Sequence, residues 1–382
     1  MKEEESQKVS ENHGWSKLCP DLLRKIIESL SSIDYYRAKI VCSDWYAVWK
    51  SCVKRRLCPW RIVYDQDDSY KFYDPGEDKI YTRQYVGLSD NSYYMASSGN
   101  WLLMINLPSI ESPIRGAQVR FERSGESGYT WGHFVEPCRK DNVSEDILHC
   151  KRSGVFLWIN ERTGDYVVAW ILKQHYLFTY KKGDDSWWNW NKDWITGAKN
   201  LGYLDVACKN SKLYLYTTDK HIKIIDFSGD FPKEEIENNP YLDHPFNYAP
   251  RGCEVSSKRR IAIQKSGEVL IILSLVLIDE SKLLFYIFKM NLESGKWERV
   301  HSIGDDEMLI VGHGVTIRAP VQDVGDGIKG DSIFFVCDGG LRSDYRCYSD
   351  CGIFDIATSR ITWPKQFHYL MDKSHWFAPG FA

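Results

Sequence analysis

The sequence predicts an α + all-β chain: three short helices at the N-terminus, then a long succession of short strands. Three observations carry that expectation. Apolar residues recur at helical spacing only between Trp15 and about Cys52. From Leu57-Cys58-Pro59-Trp60 onward, the pattern changes to short alternating or continuous apolar runs separated by Gly, Asn and Asp. Several of those runs repeat one spacing, in which an aromatic residue follows a strand end by nine positions. A chain of 382 residues accommodates a small helical domain and one large β domain.

The polar, acidic residues 1–13 predict a disordered tail and lack the order of charged then apolar residues that marks an export signal. The helical domain is expected over residues 14–56. Leu22, Leu23, Ile26, Ile27 and Leu30 follow the i, i+1, i+4, i+5, i+8 spacing of one broad helix face. Pro20 and Asp21 suit its first turn, because proline lacks a donor that would go unpaired there and the acid complements the helix dipole. A second helix is expected from about Asp34, carrying Ala38, Val41 and Cys42. A third is expected after Ser43 as N-cap, with Trp45, Val48, Trp49 and Cys52 on one face. About forty residues bury little of their own surface, so such large side chains call for a second surface to pack against, and periodicity alone favours the following domain over another protein.

The string Trp15-Ser16-Lys17-Leu18-Cys19-Pro20-Asp21-Leu22-Leu23, followed by Ile26-Ile27, Leu30, Asp34, Arg37, Val41-Cys42 and Trp45, resembles the F-box motif in order and spacing. The resemblance implies docking onto the Skp-type adaptor of a Skp-cullin-F-box ubiquitin ligase. Leu18, Pro20, Leu22, Leu23, Ile26, Ile27, Leu30, Val41, Cys42 and Trp45 inherit the adaptor-binding role, with some of them serving the box's internal core instead. Cys19 stands where this lineage often has proline, and Tyr46 where arginine is usual; neither change removes a large apolar anchor.

Over residues 57–382 the expected strands include Tyr166 to Leu172, Leu213 to Thr217, Ile222 to Phe227, Leu283 to Met290 and Ser332 to Cys337. The longest mainly apolar run, Val269 to Ile278, is half the length of a membrane helix and reads as a buried central strand. Tyr286-Ile287-Phe288 to Trp297 aligns without a gap on Gly352-Ile353-Phe354 to Trp363. Phe178 to Trp187 repeats the offset, and Phe72 to Tyr81 is a looser copy. Each copy predicts a hairpin whose aromatic pins one sheet against the next, as a kelch-like β-propeller needs. The expected number of blades is six or seven, at roughly 40 to 50 residues each, with six favoured.

Ser294-Gly295-Lys296-Trp297-Glu298-Arg299-Val300, Ile303-Gly304-Asp305, Gly330 to Phe335, Gly352-Ile353-Phe354-Asp355 and His375-Trp376-Phe377-Ala378-Pro379 resemble the domain-of-unknown-function 295 propeller that follows F-boxes in plant proteins. The match is poor over about residues 85 to 200.

Catalytic chemistry does not emerge from the residues. Gly325-Asp326-Gly327-Ile328-Lys329-Gly330 fits a dinucleotide expression, but Ile333-Phe334-Phe335-Val336 behind it predicts a strand where phosphate binding needs a helix. Cys337, Cys347 and Cys351 fit no closed zinc spacing. Asp184-Asp185 and Asp305-Asp306-Glu307 fall where turns are expected, as does His313. A net charge of −3 gathers no phosphates, and the runs Lys54-Arg55-Arg56 and Lys258-Arg259-Arg260 read as a linker and a loop. Eleven cysteines without framework spacing point to reduced thiols in the cytosol or nucleus, where the Asn142-Val143-Ser144 sequon is idle.

The sequence therefore predicts a non-catalytic adaptor. Its partners are a Skp-type protein, a cullin through it, and an unknown protein client; no nucleic acid, membrane, metal or cofactor is implied. The alternatives are a protein that sequesters or scaffolds its partner without ligase assembly, and a propeller enzyme.

Overall fold

The computed structural model describes residues 18–52, 60–64, 70–74, 77–82, 92–98, 101–106, 118–123, 129–132, 154–160, 163–172, 174–185, 187–190, 202–280, 282–311, 316–320, 330–336, 351–363 and 375–377. The acidic tail, the run 54–56, the sequon, His313, Cys337, Cys347 and all but the last glycine of the 325–330 loop lie outside them. The chain divides into two compact units, residues 1–57 and 58–382.

In the first unit, helix α1 spans Pro20–Ser29, with proline in its first turn. Helix α2 spans Ser32–Ala38, and the Ser31 hydroxyl caps it by accepting the Asp34 N–H. Helix α3 spans Ser43–Ser51 with Cys42 as N-cap. Two expectations shift. Val41 and Cys42 lie beyond α2, and Ser43 is the first residue of α3 rather than its cap. Helix α2 stops because the chain tightens: the N–H groups of Ile40 and Val41 turn back to the carbonyls of Arg37 and Ala38.

In the second unit, the described strands form six sheets. Five of them are built from strands consecutive in the chain, running from Ser92–Ser98 to Tyr129–Gly132, Gly154–Asn160 to Trp188–Asn189, Tyr203–Lys209 to Lys233–Glu235, Glu254–Ile263 to Lys296–Val300, and Glu307–Val311 to Arg360–Thr362. These are the second to sixth sheets. The first joins Trp60–Tyr64, Tyr70–Asp74 and Lys79–Thr82 to the late strand His375–Phe377, which pairs with Trp60–Tyr64 on the inner side. The expectation of six or seven blades thus meets five sequential sheets and one closed by distant segments; the described residues contain no seventh sheet.

Alternation explains why these strands read as apolar. In the third sheet, Val155, Leu157, Val168 and Trp170 pack toward Ala96 and Leu103 of the second sheet. The intervening Phe156, Val167, Ala169 and Ile171 pack toward Val206, Leu213 and Leu215 of the fourth. A sheet covered on both faces has no polar side to show, so its strands lose the alternation of a half-exposed one. Val269–Leu277, second strand of the fifth sheet, is buried continuously from Val269 through Leu273, as its sequence predicts.

The four aligned repeats fall at one structural position, the turn from the last strand but one to the outermost one, in the first, third, fifth and sixth sheets. Gly295 makes the fifth sheet's turn possible: its φ is +65°, and a Cβ there would lie 2.5 Å from the His244 ring. Tyr81 stacks on Trp60, Trp187 packs on Tyr180 and Trp170, and Trp363 meets Phe335, all within their own sheets. Trp297 packs on Phe246 and Tyr241 in the segment that leads into the fifth sheet, and donates to the His244 carbonyl at 2.9 Å. These ring contacts hold the aromatics on their own sheet and connection, and Trp187 also packs against the cluster that includes Ala96 and Leu103 of the second sheet.

Three further departures are local. Glu307–Val311 and Ser332–Val336 pair in parallel, because Thr316–Pro320 folds back on the inner side of the first strand before the chain returns. Glu307, read as a turn residue, opens that strand; it is buried and accepts the Lys265 N–H at 2.8 Å. Lys258-Arg259-Arg260 is no loop: it lies within Glu254–Ile263, and buried Arg260 faces Asp205 of the fourth sheet at 3.5 Å. A register shift between Tyr203 and Asp205 aims that carboxylate inward, where Oδ2 also accepts the Ile261 N–H at 2.8 Å.

Burial pushes the phenols of Tyr203 and Tyr216 up to about 12 from their ordinary 10.0. A folded-state pKa above the unfolded value leaves stability intact below the unfolded pKa and removes it as pH rises through the folded one. Urea denaturation is therefore expected to give a constant midpoint up to about pH 9 and a falling one between about 10 and 12.

Candidate functional site

The helical unit sorts the ten candidate residues into three groups. Leu23 and Ile27, one turn apart on α1, are buried with Tyr35 and Ala38 of α2 and Trp45, Val48 and Cys52 at α3. This is a core of its own, and it buries Leu23, Ile27 and Trp45. Leu18, Ile26, Leu30 and Cys42 are half-buried and pack against the edge of that core. Pro20, Leu22 and Val41 are exposed.

The split follows from helical geometry. On α1, the line through Leu23 and Ile27 faces α2 and α3, while Leu22 and Ile26, also four apart, lie one position around the helix. Leu22 is 47% exposed and Val41 57%. Ile40, absent from the sequence-level candidates, is 78% exposed in the turn after α2. Its signal was present: two β-branched apolar residues where a turn between helices would ordinarily carry polar ones.

Tyr46, the departure from arginine, lies partly exposed with its ring stacked 6.2 Å from Trp49 and Lys50 Nζ 4.7 Å from its centroid. Lys39 Nζ approaches the Trp49 ring at 5.8 Å. An aromatic at position 46 thus keeps packing area on the outer side of α3. Asp34 and Arg37 form an exposed ion pair at 3.3 Å within α2, where screening leaves it little energetic weight. Burial, with Glu28 adding repulsion, pushes the Cys52 thiol up from its ordinary value, as befits a core cysteine rather than a reactive one.

Among the described residues, no three His, Cys, Asp or Glu side chains converge as a metal site. Asp184 serves its turn by accepting the Lys181 N–H at 2.8 Å. No described helix is long and apolar enough to cross a membrane.

The helical unit coincides with a match to the F-box domain over residues 15–57, and most of the sheet-forming unit, residues 72–355, matches the KIB1-4 β-propeller. The chain is an F-box protein of the KIB1-4 β-propeller family. Kelch-like and domain-of-unknown-function 295 are labels that this family match does not carry. The F-box protein At5g38270 of Arabidopsis thaliana is 59% identical to this one, covering 100% of this chain and 98% of its own. F-box only protein 7 from the same plant is 57% identical with the same coverage. F-box protein KIB4, also from Arabidopsis thaliana, is 30% identical over 95% of each chain. The similarity to these F-box proteins extends through residues 85 to 200, where the second and third sheets lie.

Proposed function

We propose that this F-box protein is the substrate-recognition subunit of a Skp-cullin-F-box ubiquitin ligase, with the helical unit binding a Skp-type adaptor and the propeller binding a protein client. The observation that carries the reading is the set of Leu22, Ile40 and Val41, exposed on a unit whose internal core is already complete without them. Leu18, Ile26 and Leu30 extend the apolar surface along α1, and Pro20 begins it. Leu23, Ile27 and Trp45 act behind that surface by holding the helices in place.

Ubiquitin transfer then takes place on other subunits. This chain contributes proximity, converting a bimolecular encounter between client and charged conjugating enzyme into a local one. The test is recovery of partners from plant extract on immobilised full-length protein, read by mass spectrometry. An adaptor together with a cullin is expected. An adaptor without a cullin would indicate a scaffold that sequesters its client, and recovery of neither would contradict the reading.

A further inference from the structure

The outer rim between the third and fourth sheets carries a feature that adaptor binding leaves unused. Phe231 is 72% exposed and Ile236 61%, on either side of the three-residue edge strand Lys233–Glu235. They line a groove of about 470 Å³ together with Asp226, Lys233, Glu234 and Glu237. Trp188, at the outer edge of the third sheet, meets Phe231 edge-on at 6.0 Å. Lys181 Nζ, donating to the Gly229 carbonyl at 2.6 Å, ties the two sheets together beside it.

The charge around these aromatics is one-sided. Segments 181–188 and 226–237 hold seven carboxylates and three lysines. Lys212 and Lys223 neutralise Glu235 and Glu234, at 2.6 and 3.1 Å, which leaves an excess of two negative charges. Asp230 and Glu237 are exposed, and no ion pair is described for either. An open aromatic face bordered by uncompensated carboxylates fits a guanidinium, which stacks on the ring while its N–H groups reach the acids. The outer edge of Lys233–Glu235 pairs with no described strand, and so offers backbone donors and acceptors to an extended chain.

We infer that this rim is a docking site for an extended, arginine-bearing peptide segment of a partner protein, with an arginine over Phe231, Glu237 and Asp230 opposing its charge, and an apolar residue against Ile236. The site is independent of the adaptor surface, and its test does not depend on ligase assembly.

The probe is a fluorescein-labelled peptide of alternating arginine and valine, titrated into the full-length protein by fluorescence anisotropy. Saturable binding tighter than about 1 mM is expected, weakened at least tenfold by Phe231→Ala and by Asp230→Lys with Glu237→Lys. Phe231→Tyr keeps the affinity, and a glutamate-valine peptide does not bind. Both altered regions are exposed, and a thermal melt checks that each variant folds; the charge-reversal variant decides the matter if Phe231→Ala does not. No binding of the arginine peptide, or binding that the folded variants leave unchanged, would overturn the inference.

Discussion

Asp205→Ala is expected to destabilise the β unit by about 3–5 kcal/mol, the cost of leaving one member of a buried ion pair without the other. Asp205 and Arg260 are both buried, on facing strands of the fourth and fifth sheets. Removing the carboxylate takes from Arg260 the buried acid that faces it and from the Ile261 N–H its acceptor. Asp205→Asn keeps an acceptor at that position but not the charge, so its loss is expected to be smaller. Urea denaturation of the full-length protein, followed by the circular dichroism of its strands, separates the cases. Equal stability of native protein and Asp205→Ala would show that the pair does not hold the two sheets together.

Two adjacent leucines are expected to behave oppositely. Leu23→Asp puts a carboxylate into a small core, with seven buried side chains among the described residues. Burying such a charge without a partner costs several kcal/mol, a large fraction of what so small a unit holds in reserve. The helical unit should lose its structure while the propeller keeps its own. Leu22→Asp places the same group largely in solvent, and the helical circular dichroism should stay at the native level.

How much of this was legible depended on whether a property is local or collective. The first helix was readable from Pro20, Asp21 and its apolar period, because propensity, capping and burial agree there. The end of α2 was not, because Val41 and Cys42 continue the apolar pattern beyond the last helical residue, Ala38. The repeats at Phe178, Phe288 and Phe354 located a recurring hairpin, but not the set of surfaces its aromatic covers. Spacing along one chain fixes the turn, whereas the surface an indole covers depends on how sheets lie beside one another.

Likewise, Lys258-Arg259-Arg260 read as a loop because three cations in a row rarely enter a strand, and Asp205, more than fifty residues earlier, is the acid that faces Arg260 there. At the candidate site, the period of α1 placed Leu22 and Leu23 in one group, whereas Leu23 is buried and Leu22 exposed. Which of two neighbouring leucines faces inward is decided by α2 and α3. The rim at Phe231 had no sequence signal beyond an aromatic among acids, and its exposure became visible only in three dimensions.

The division between a filled core and an apolar surface kept for a partner is tested most directly by calorimetric titration of a purified Skp-type adaptor into the full-length protein and into Leu22→Asp with Val41→Asp. Each leucine- or valine-sized anchor contributes about 1.5–3 kcal/mol when buried, so the double variant, still folded, is expected to bind at least a hundredfold more weakly. Native affinity in that variant, or no adaptor binding by the unaltered protein, would contradict the account.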